Sequence, residues 1–260
     1  MDILVCIKRV PAPGTRIVLT DDRQEIVTRN LGFTVSPHEE CAVEEAVRLK
    51  EKHGGSVTVL TLGPDLADEQ LREAMAMGAD EGVLLQTDGK DWDPMATARA
   101  ITTAIQGKSF DVLLFGNESA DSGGYQVGIR VAQALDLPCV SGIKKLELAP
   151  VYTGAGQAIA QREAAGGWEV YEVALPAVFT VKEGINLPRY PSLPGRMRAK
   201  RKQIELIAPE QTGPRAHGGG PEKIRLKTPP EQGSHVEILG HGLEALPRVM
   251  AILKELRILE

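Results

Sequence analysis

The chain has 260 residues, of which 42% are hydrophobic, and it carries a formal net charge of −5 with a sequence pI near 5.7. This composition supports a full apolar core and excludes general disorder, while the acidic balance argues against general nucleic-acid binding. Its three cysteines stand at unrelated positions, and no apolar run approaches the ~18 residues of a membrane-spanning helix. Since the first residues lack a signal-peptide layout, we expect a soluble, cytoplasmic protein that binds no nucleic acid and is not an integral membrane protein.

The first 140 residues alternate between predicted strands and predicted helices. Short apolar or β-branched runs predict strands at 3–7, 56–62, 82–86, 110–115 and 137–140. Periodic apolar positions predict helices at 37–53, 66–77, 94–105 and from Ser122-Gly123-Gly124 to Leu135. In the first of these helices, Ser36 would cap the N-terminus and Glu39 would complete a capping box. The alternation predicts an α/β fold with a doubly wound, mostly parallel, Rossmann-like sheet.

The pattern changes after residue 141, where predicted helices disappear. Runs at 146–148, 158–160 and 168–173 predict antiparallel strands that extend the sheet, and 177–181 predicts a strand that returns to it. Residues 16–27 predict a surface hairpin, 209–233 a linker, 235–239 a short strand and 243–256 an amphipathic helix. We therefore expect one domain at 1–207 and an arm at 208–260, whose helix either contacts a partner or folds back on its own sheet.

The stretch at 110–128 has the strongest local signal for a bound ligand. A buried strand is followed by a polar, glycine-bearing loop and a helix start, where free backbone N–H groups and the helix dipole favour a phosphate. The spacing matches neither the dinucleotide fingerprint nor the phosphate-loop motif, so an ordinary strand-to-helix turn is the alternative. Because ligands of open α/β sheets bind beyond the carboxyl ends of strands, the loop at 8–11 is a second candidate.

Residues 182–202 form a strongly basic segment, with seven basic side chains and one acid, Glu183, which give a net charge of +6. Prolines at positions 188, 191 and 194 favour a stiff, extended loop in its first half. The loop presents one apolar side chain, Leu193, among cations, an arrangement suited to docking an acidic partner. From charge alone, a solvated basic helix start is the alternative.

We find no constellation for acid–base, nucleophilic or metal chemistry. The histidines lack metal-ligand spacing, and His38, in a helix first turn, is placed equally for exposure or for contact with a phosphate. Cys6 and Cys139 are interpreted as small core residues, with a ligand contact of Cys6 as the alternative. The pairs Glu39-Glu40 and Glu44-Glu45 are interpreted as a solvated helix face. This absence suits a protein whose bound cofactor supplies the chemistry.

Several segments together resemble the electron transfer flavoprotein β-subunit family. The most distinctive is INLPRYPSLPGRMRAKRK at 185–202, and the others are VCIKRV at 5–10, AVEEAVRLK at 42–50, AMAMGAD at 74–80 and the stretch at 116–128 with Asp121 and Gln126. The resemblance covers about residues 1–207, and the tail matches loosely. It agrees with the expected Rossmann-like sheet, here of the adenine nucleotide α-hydrolase-like type.

The resemblance implies a heterodimer that carries electrons from flavin dehydrogenases to a membrane quinone oxidoreductase or another acceptor. Its electron-transferring FAD would be shared with, and mostly bound by, the α subunit, and the β subunit would bind AMP. By position, the nucleotide contacts would be Cys6, Ser36, Pro37, His38, Glu39, Leu62, Gly116, Asn117, Glu118, Ser119, Ala120, Asp121, Ser122, Gly123, Gly124, Tyr125, Gln126 and Val127. The partner-docking residues would be Leu193, Arg196, Arg198, Lys200, Arg201 and Lys202.

Two alternatives stay open: an electron-bifurcating member with a second FAD in this subunit, and a stand-alone ATP- or AMP-binding stress-type module. The chain departs from the family pattern at three places. Ser36 stands where many members have Asn, Ser122-Gly123-Gly124 follow Asp121 in place of further acids, and Pro11-Ala12-Pro13 replaces an aromatic residue of some members. The bare glycine turn and the AVEE helix segment at 42–45 favour AMP over a second FAD.

Overall fold

A computed structural model of the chain describes residues 1–148, 156–209, 223–230 and 236–259. Most of the predicted linker, together with His217 and His235, therefore lies outside the described residues. The described part of the strand expected at 235–239 is not a strand, so that prediction is wrong for residues 236–239.

The described residues contain strands β1 (Asp2–Ile7), β2 (Arg9–Pro11), β3 (Phe33–Val35), β4 (Ser56–Gly63), β5 (Glu81–Gln86), β6 (Val112–Gly116), β7 (Cys139–Ile143), β8 (Lys145–Leu148), β9 (Gln157–Ala164), β10 (Gly167–Ala174), β11 (Ala177–Val181) and β12 (Ile204–Ile207). They also contain helices α1 (Pro37–His53), α2 (Asp68–Met77), α3 (Pro94–Ala104), α4 (Val127–Leu135), α5 (Leu193–Arg201) and α6 (Leu246–Glu255), with short 3-10 turns at Asp65–Ala67 and Gly242–Ala245.

A seven-stranded sheet in the order β12-β5-β4-β1-β6-β11-β7 forms the centre of the fold, and all of its strand pairs are parallel. Its central strands are almost completely buried, which explains why they are continuous apolar runs in the sequence. Helices α1 and α2 contribute to one buried cluster and α3 and α4 to a second. The predicted α/β fold with a doubly wound, mostly parallel sheet is therefore confirmed.

The direction in which the chain adds strands reverses beside β1. From β1 the chain adds β4 and then β5 on one side, and it returns to place β6 on the other side. Such a reversal opens a crevice at the carboxyl ends of the strands, because the connections from the two neighbours leave toward opposite faces. The ends of β1 and β6 are therefore where a ligand is expected.

Three local predictions are corrected, and the structure adds two features that were not predicted. Strands β8, β9 and β10 form a separate three-stranded antiparallel sheet and do not extend the central one. Strand β12, at the edge of the central sheet, and the β2–β3 ladder were not predicted. Helix α4 begins at Val127 and not at Ser122-Gly123-Gly124, and Cys139 at the start of β7 is exposed, not a core residue.

The chain divides into two compact units, Met1–Val18 with Ile26–Glu222, and Leu19–Glu25 with Lys223–Glu260. In the second unit the Leu226 N–H donates to the Arg23 carbonyl at 2.8 Å, and Gln24 Nε2 donates to the Ile224 carbonyl at 2.7 Å. Lys223 Nζ pairs with Glu25 at 2.7 Å. The predicted amphipathic helix is present in this unit as α6. Among the described residues, none of the helices combines the length and apolar character that a membrane crossing requires.

Candidate functional site

The predicted site residues come together at the carboxyl edge of the central sheet. Strands β1, β4 and β6 end there, and helices α1 and α4 begin there. Residues 36–39, at the start of α1, are joined by side-chain contacts to the loop at 116–126, which follows β6. Cys6 is buried near the end of β1, and Leu62 is near the end of β4.

An ion pair links the end of β1 to the loop after β6. Lys8 Nζ lies 2.6 Å from Asp121 Oδ2 and 3.5 Å from Ser122 Oγ, and the hydroxyls of Ser119 and Ser122 are 2.7 Å apart. Burial by itself would raise the pKa of Asp121, but the Lys8 charge and the hydrogen bonds from Lys8 and Ser119 outweigh it and lower that pKa. Asp121 is therefore an ionised acceptor at neutral pH.

The Ser36 side chain links the start of α1 to the loop at 116–126 and does not cap α1. It occupies the N-cap position, but its hydroxyl donates to the Glu118 carbonyl at 3.4 Å and accepts from the Ala120 N–H at 3.2 Å. The Glu39 carboxyl group accepts a hydrogen bond from the Lys8 backbone N–H, and the Ser36 backbone N–H also donates to it. The predicted capping box is therefore only half present: Glu39 reaches back to the Ser36 N–H, but the Ser36 hydroxyl binds the loop after β6 instead of capping α1.

Glu39 is a buried carboxyl group at the base of the site. Burial raises its pKa to about 8, with the Asp121 charge acting in the same direction and the Lys8 N–H and ammonium opposing it. A Cβ on Gly116 would lie 2.5 Å from Glu39 Cγ, so the close packing of α1 on β6 requires glycine at this position. Burial and the Glu39 charge also raise the pKa of the Cys6 thiol, which excludes it as a thiolate nucleophile.

His38 has an unsatisfied ring nitrogen. Its Nε2 lies 3.8 Å from Glu118 Oε1, whereas its Nδ1 is buried and has no hydrogen-bond partner among the described residues. The ring is mostly buried, so the expectation of simple exposure is wrong. A buried polar atom without a partner carries a free-energy cost that a bound ligand can remove.

The rest of the loop at 116–126 is held in a tight turn. Asn117 Oδ1 accepts a hydrogen bond from Thr180, and the Gly123 N–H donates to the Ser119 carbonyl at 2.9 Å. Gly123 has φ 55°, a left-handed conformation that glycine adopts easily, and Tyr125 adopts the same φ with its ring exposed. Gln126 precedes α4 and does not cap it, so the first N–H groups of α4 have no side-chain acceptor there.

The residues at this edge could hold the phosphate and the ribose of a nucleotide. The N-termini of α1 and α4, the serine hydroxyls and His38 can donate to phosphate oxygens, and the carboxylates of Glu118 and Asp121 can accept from ribose hydroxyls. The described residues contain no group of His, Cys, Asp and Glu that could hold a metal ion. The chemistry that this arrangement supports is binding of a nucleotide.

The basic segment (residues 182–202) forms a second candidate region. It is irregular up to Ser192, whose hydroxyl caps the following helix α5 by accepting from the Gly195 N–H at 3.1 Å. Leu193, the first residue of α5, is 73% exposed. The segment therefore combines the predicted extended loop with the basic helix that was the alternative.

The predicted docking cations of this segment do not all point to solvent. Four are exposed, namely Arg196, Arg198, Lys200 and Arg201. Lys202 differs, since its ammonium donates to the carbonyls of Ala79 and Asp80 at 2.9 and 2.8 Å. Lys202 therefore stabilises the turn between α2 and β5, and its ammonium is not free for docking.

Sequence reasoning missed the acidic residues that hold the basic segment on α1. Glu44 and Glu45, interpreted above as solvated, are only 5% and 7% exposed, and Glu39 is buried as well. Glu44 binds Arg189, and Glu45 binds Asn186. The available signal was that residues 42–47 interrupt an apolar helix face with two acids while a cationic segment follows elsewhere in the chain.

Comparisons with known proteins agree on one family. A family model described as the electron transfer flavoprotein domain matches residues 25–212. The chain is 37% identical over 209 residues to the electron transfer flavoprotein subunit beta of Bacillus subtilis, which covers 80% of this chain and 79% of that one. It is 40% identical over 209 residues to the subunit beta of Syntrophomonas wolfei, with 80% of each chain covered. It is 34% identical over 215 residues to the human subunit beta, with 81% of this chain and 82% of the human one covered.

Proposed function

The chain belongs to the electron transfer flavoprotein β-subunit family, and from this we propose that it is the β subunit of a heterodimeric carrier that binds AMP and docks flavin dehydrogenases. The electrons would pass to a membrane quinone oxidoreductase or another acceptor, and the carrier would act in the cytoplasm. The observation that supports this proposal is the carboxyl edge itself, which groups N–H donors, hydroxyls and an unsatisfied His38 nitrogen without a reactive nucleophile.

In this proposal the polypeptide binds and positions, and the flavin supplies the redox chemistry. The FAD would be shared with, and mostly bound by, the α subunit. Residues 36–39 and 116–127 would hold AMP, with the phosphate at the N-termini of α1 and α4. The arm at 208–260, which includes α6, is proposed to contact the α subunit, because its helix carries exposed apolar side chains at Leu246, Val249 and Met250.

The stoichiometry of bound groups in the purified heterodimer tests the proposed cofactors. One FAD and one AMP per heterodimer, measured by absorbance and by mass spectrometry of the released nucleotides, is the expected result. Two FAD without AMP would assign the second flavin of a bifurcating carrier to this subunit. A heterodimer with no adenine nucleotide on this subunit would refute the proposal for the carboxyl edge.

The Leu193→Ala variant is expected to lower kcat/KM for the donor dehydrogenase about tenfold, because it removes an exposed apolar side chain from the centre of a docking surface. The measurement is the rate of electron transfer at several donor concentrations, together with the FAD and AMP content. Val170→Ala, which truncates another exposed apolar side chain, on β10, is the matched control and should change nothing. Loss of nucleotide along with activity would show that Leu193 is structural.

A further inference from the structure

We infer that Arg189 is a positioning residue, which, bound to Glu44 and Glu51 of α1, fixes the basic segment in its binding shape before a partner docks. The inference rests on the proposed docking function of this segment. The partner that the surface fits is a protein with an apolar pocket bordered by acidic side chains, because the segment presents apolar side chains among cations.

The side chain of Arg189 points toward α1 and makes four hydrogen bonds to carboxylate oxygens there. Its Nε and Nη2 bind the two carboxylate oxygens of Glu44 at 2.8 and 3.0 Å. Its Nη1 and Nη2 bind those of Glu51 at 2.6 and 3.0 Å, and its backbone N–H adds a bond to Glu44 at 3.1 Å. Two bidentate pairs from one guanidinium fix both its position and its orientation.

A second attachment to α1 lies three residues earlier. Asn186 Nδ2 donates to the Cys41 carbonyl at 3.0 Å and to Glu45 Oε2 at 2.9 Å. The Cys41 thiol lies 3.8 Å from the Asn186 carbonyl. The described residues 185–192 belong to no helix or strand. Their conformation is therefore stabilised by these side-chain contacts to α1 and not by the hydrogen bonds of regular secondary structure.

The inward side chains alternate with exposed apolar ones. Leu187 and Tyr190 flank Arg189 in the segment and are 91% and 96% exposed, and Leu193 follows at 73%. A segment that is already ordered before binding loses less conformational entropy when the partner docks than a flexible one does. The fixed position of these apolar side chains therefore makes the free energy of docking more favourable. Arg189 thus acts on the partner through the side chains that it orders, without touching the partner.

The burial of Glu44 makes this contact depend on arginine. The Glu44 side chain is 6% exposed, and removing its cation would leave a buried carboxylate without a partner. Lysine keeps the charge but cannot form two bidentate pairs, so it would hold the segment less well. The Arg189 hydrogen bonds also lower the pKa of Glu51, which keeps the Glu51 carboxylate available as an acceptor at neutral pH.

The test uses the FAD- and AMP-loaded heterodimer and a donor dehydrogenase, with kcat and KM measured between 20 and 200 mM salt. Arg189→Gln is expected to raise KM about tenfold, with kcat at saturating donor, FAD content and AMP content unchanged. Arg189→Lys should restore part of the loss. Because Arg189 does not touch the partner, the slope of log KM against log salt should equal that of the parent protein.

Two further variants make the outcome decisive. Arg196→Gln removes an exposed cation of the same segment, so it should raise KM and also flatten the salt dependence. Glu51→Gln removes only the exposed half of the Arg189 contact, keeps Glu44, and should raise KM about threefold if Arg189→Gln fails to fold. Lys145→Gln, which removes a cation on the separate three-stranded sheet, is the control and should leave KM and its salt dependence unchanged.

The inference is overturned if Arg189→Gln and Glu51→Gln both leave KM unchanged, or if either one flattens the salt dependence as a contact residue would. Loss of FAD or AMP together with activity would assign Arg189 to general stability and would also overturn it. If the parent heterodimer itself holds flavin and AMP but accepts no electrons from dehydrogenases, the proposed function fails first, and the two failures remain distinguishable.

Discussion

The Glu39→Gln variant is expected to gain stability relative to the parent protein as the pH rises from 6 to 8, by about 1.4 kcal/mol per pH unit near pH 6 and by about half of that slope at pH 8. The folded protein keeps Glu39 protonated up to a pKa of about 8, whereas the same group ionises near 4.5 when exposed. Unfolding in this window therefore releases a proton, so the stability that Glu39 contributes is complete below pH 4.5 and is lost as the pH rises to 8. Glutamine stays neutral, and its amide oxygen can still accept the hydrogen bond from the Lys8 N–H.

The measurement is urea or thermal unfolding at pH 6, 7 and 8 without added nucleotide. Across this window the difference between variant and parent should grow by about 2 kcal/mol, or on the order of 5 °C in Tm. Glu51→Gln is the control of opposite sign, because hydrogen bonds from Arg189 lower the pKa of Glu51, and it should be less stable by an amount that does not change with pH. Parallel pH profiles for Glu39→Gln and the parent protein would contradict a buried, protonated Glu39.

The Gly116→Ala variant is expected to lose about 1–3 kcal/mol of stability and to retain only a small fraction of the AMP that the parent protein carries. A Cβ at this position would lie 2.5 Å from Glu39 Cγ and 3.3 Å from the Glu39 backbone nitrogen. Since Glu39 is buried and bound to Lys8, the clash would move the first turn of α1 away from the end of β6. Thermal unfolding and the AMP content of the purified heterodimer measure the two effects.

Gly124→Ala is the matched control from the same loop. A Cβ there would meet only Pro94 Cγ at 3.9 Å, an ordinary van der Waals contact, and the Gly124 backbone is not in the left-handed region. The control should keep its stability and its AMP. If both alanine variants behave alike, the close approach of α1 and β6 does not determine the shape of the site.

The sheet could be predicted from the sequence because its signal is local. A strand such as β6 is buried on both faces, so every residue in its run is apolar, and the glycine and polar residues that follow mark its end. Alternation of such runs with amphipathic helices then predicts a parallel sheet, although it does not give the order of the strands. Strand β12 has partly exposed residues and a polar one, Glu205, so it lacks this signal although it pairs with β5.

The candidate site was located by the same reasoning, but its contacts were not predicted. The roles of Ser36 and Glu39 were assigned from their spacing within one helix, but their side chains also bind Lys8 and residues 118–120, which are distant in sequence. Glu44 was interpreted as solvated for the same reason, since its partner Arg189 lies 145 residues away. Spacing along the chain predicts the helix that contains a side chain, but the hydrogen-bond partners of that side chain depend on the tertiary fold.

Helix α1 carries Glu39 toward the sheet edge and Glu44 and Glu51 toward the basic segment, and its register therefore limits which insertions the chain can accept. Each residue of an α helix turns the following ones by about 100° and advances them by 1.5 Å. One extra residue between positions 40 and 43 would keep the helix intact yet rotate either Glu39 away from Lys8 or Glu44 away from Arg189. Length variation in this family should accordingly concentrate in the loops on either side of this helix and avoid its first half.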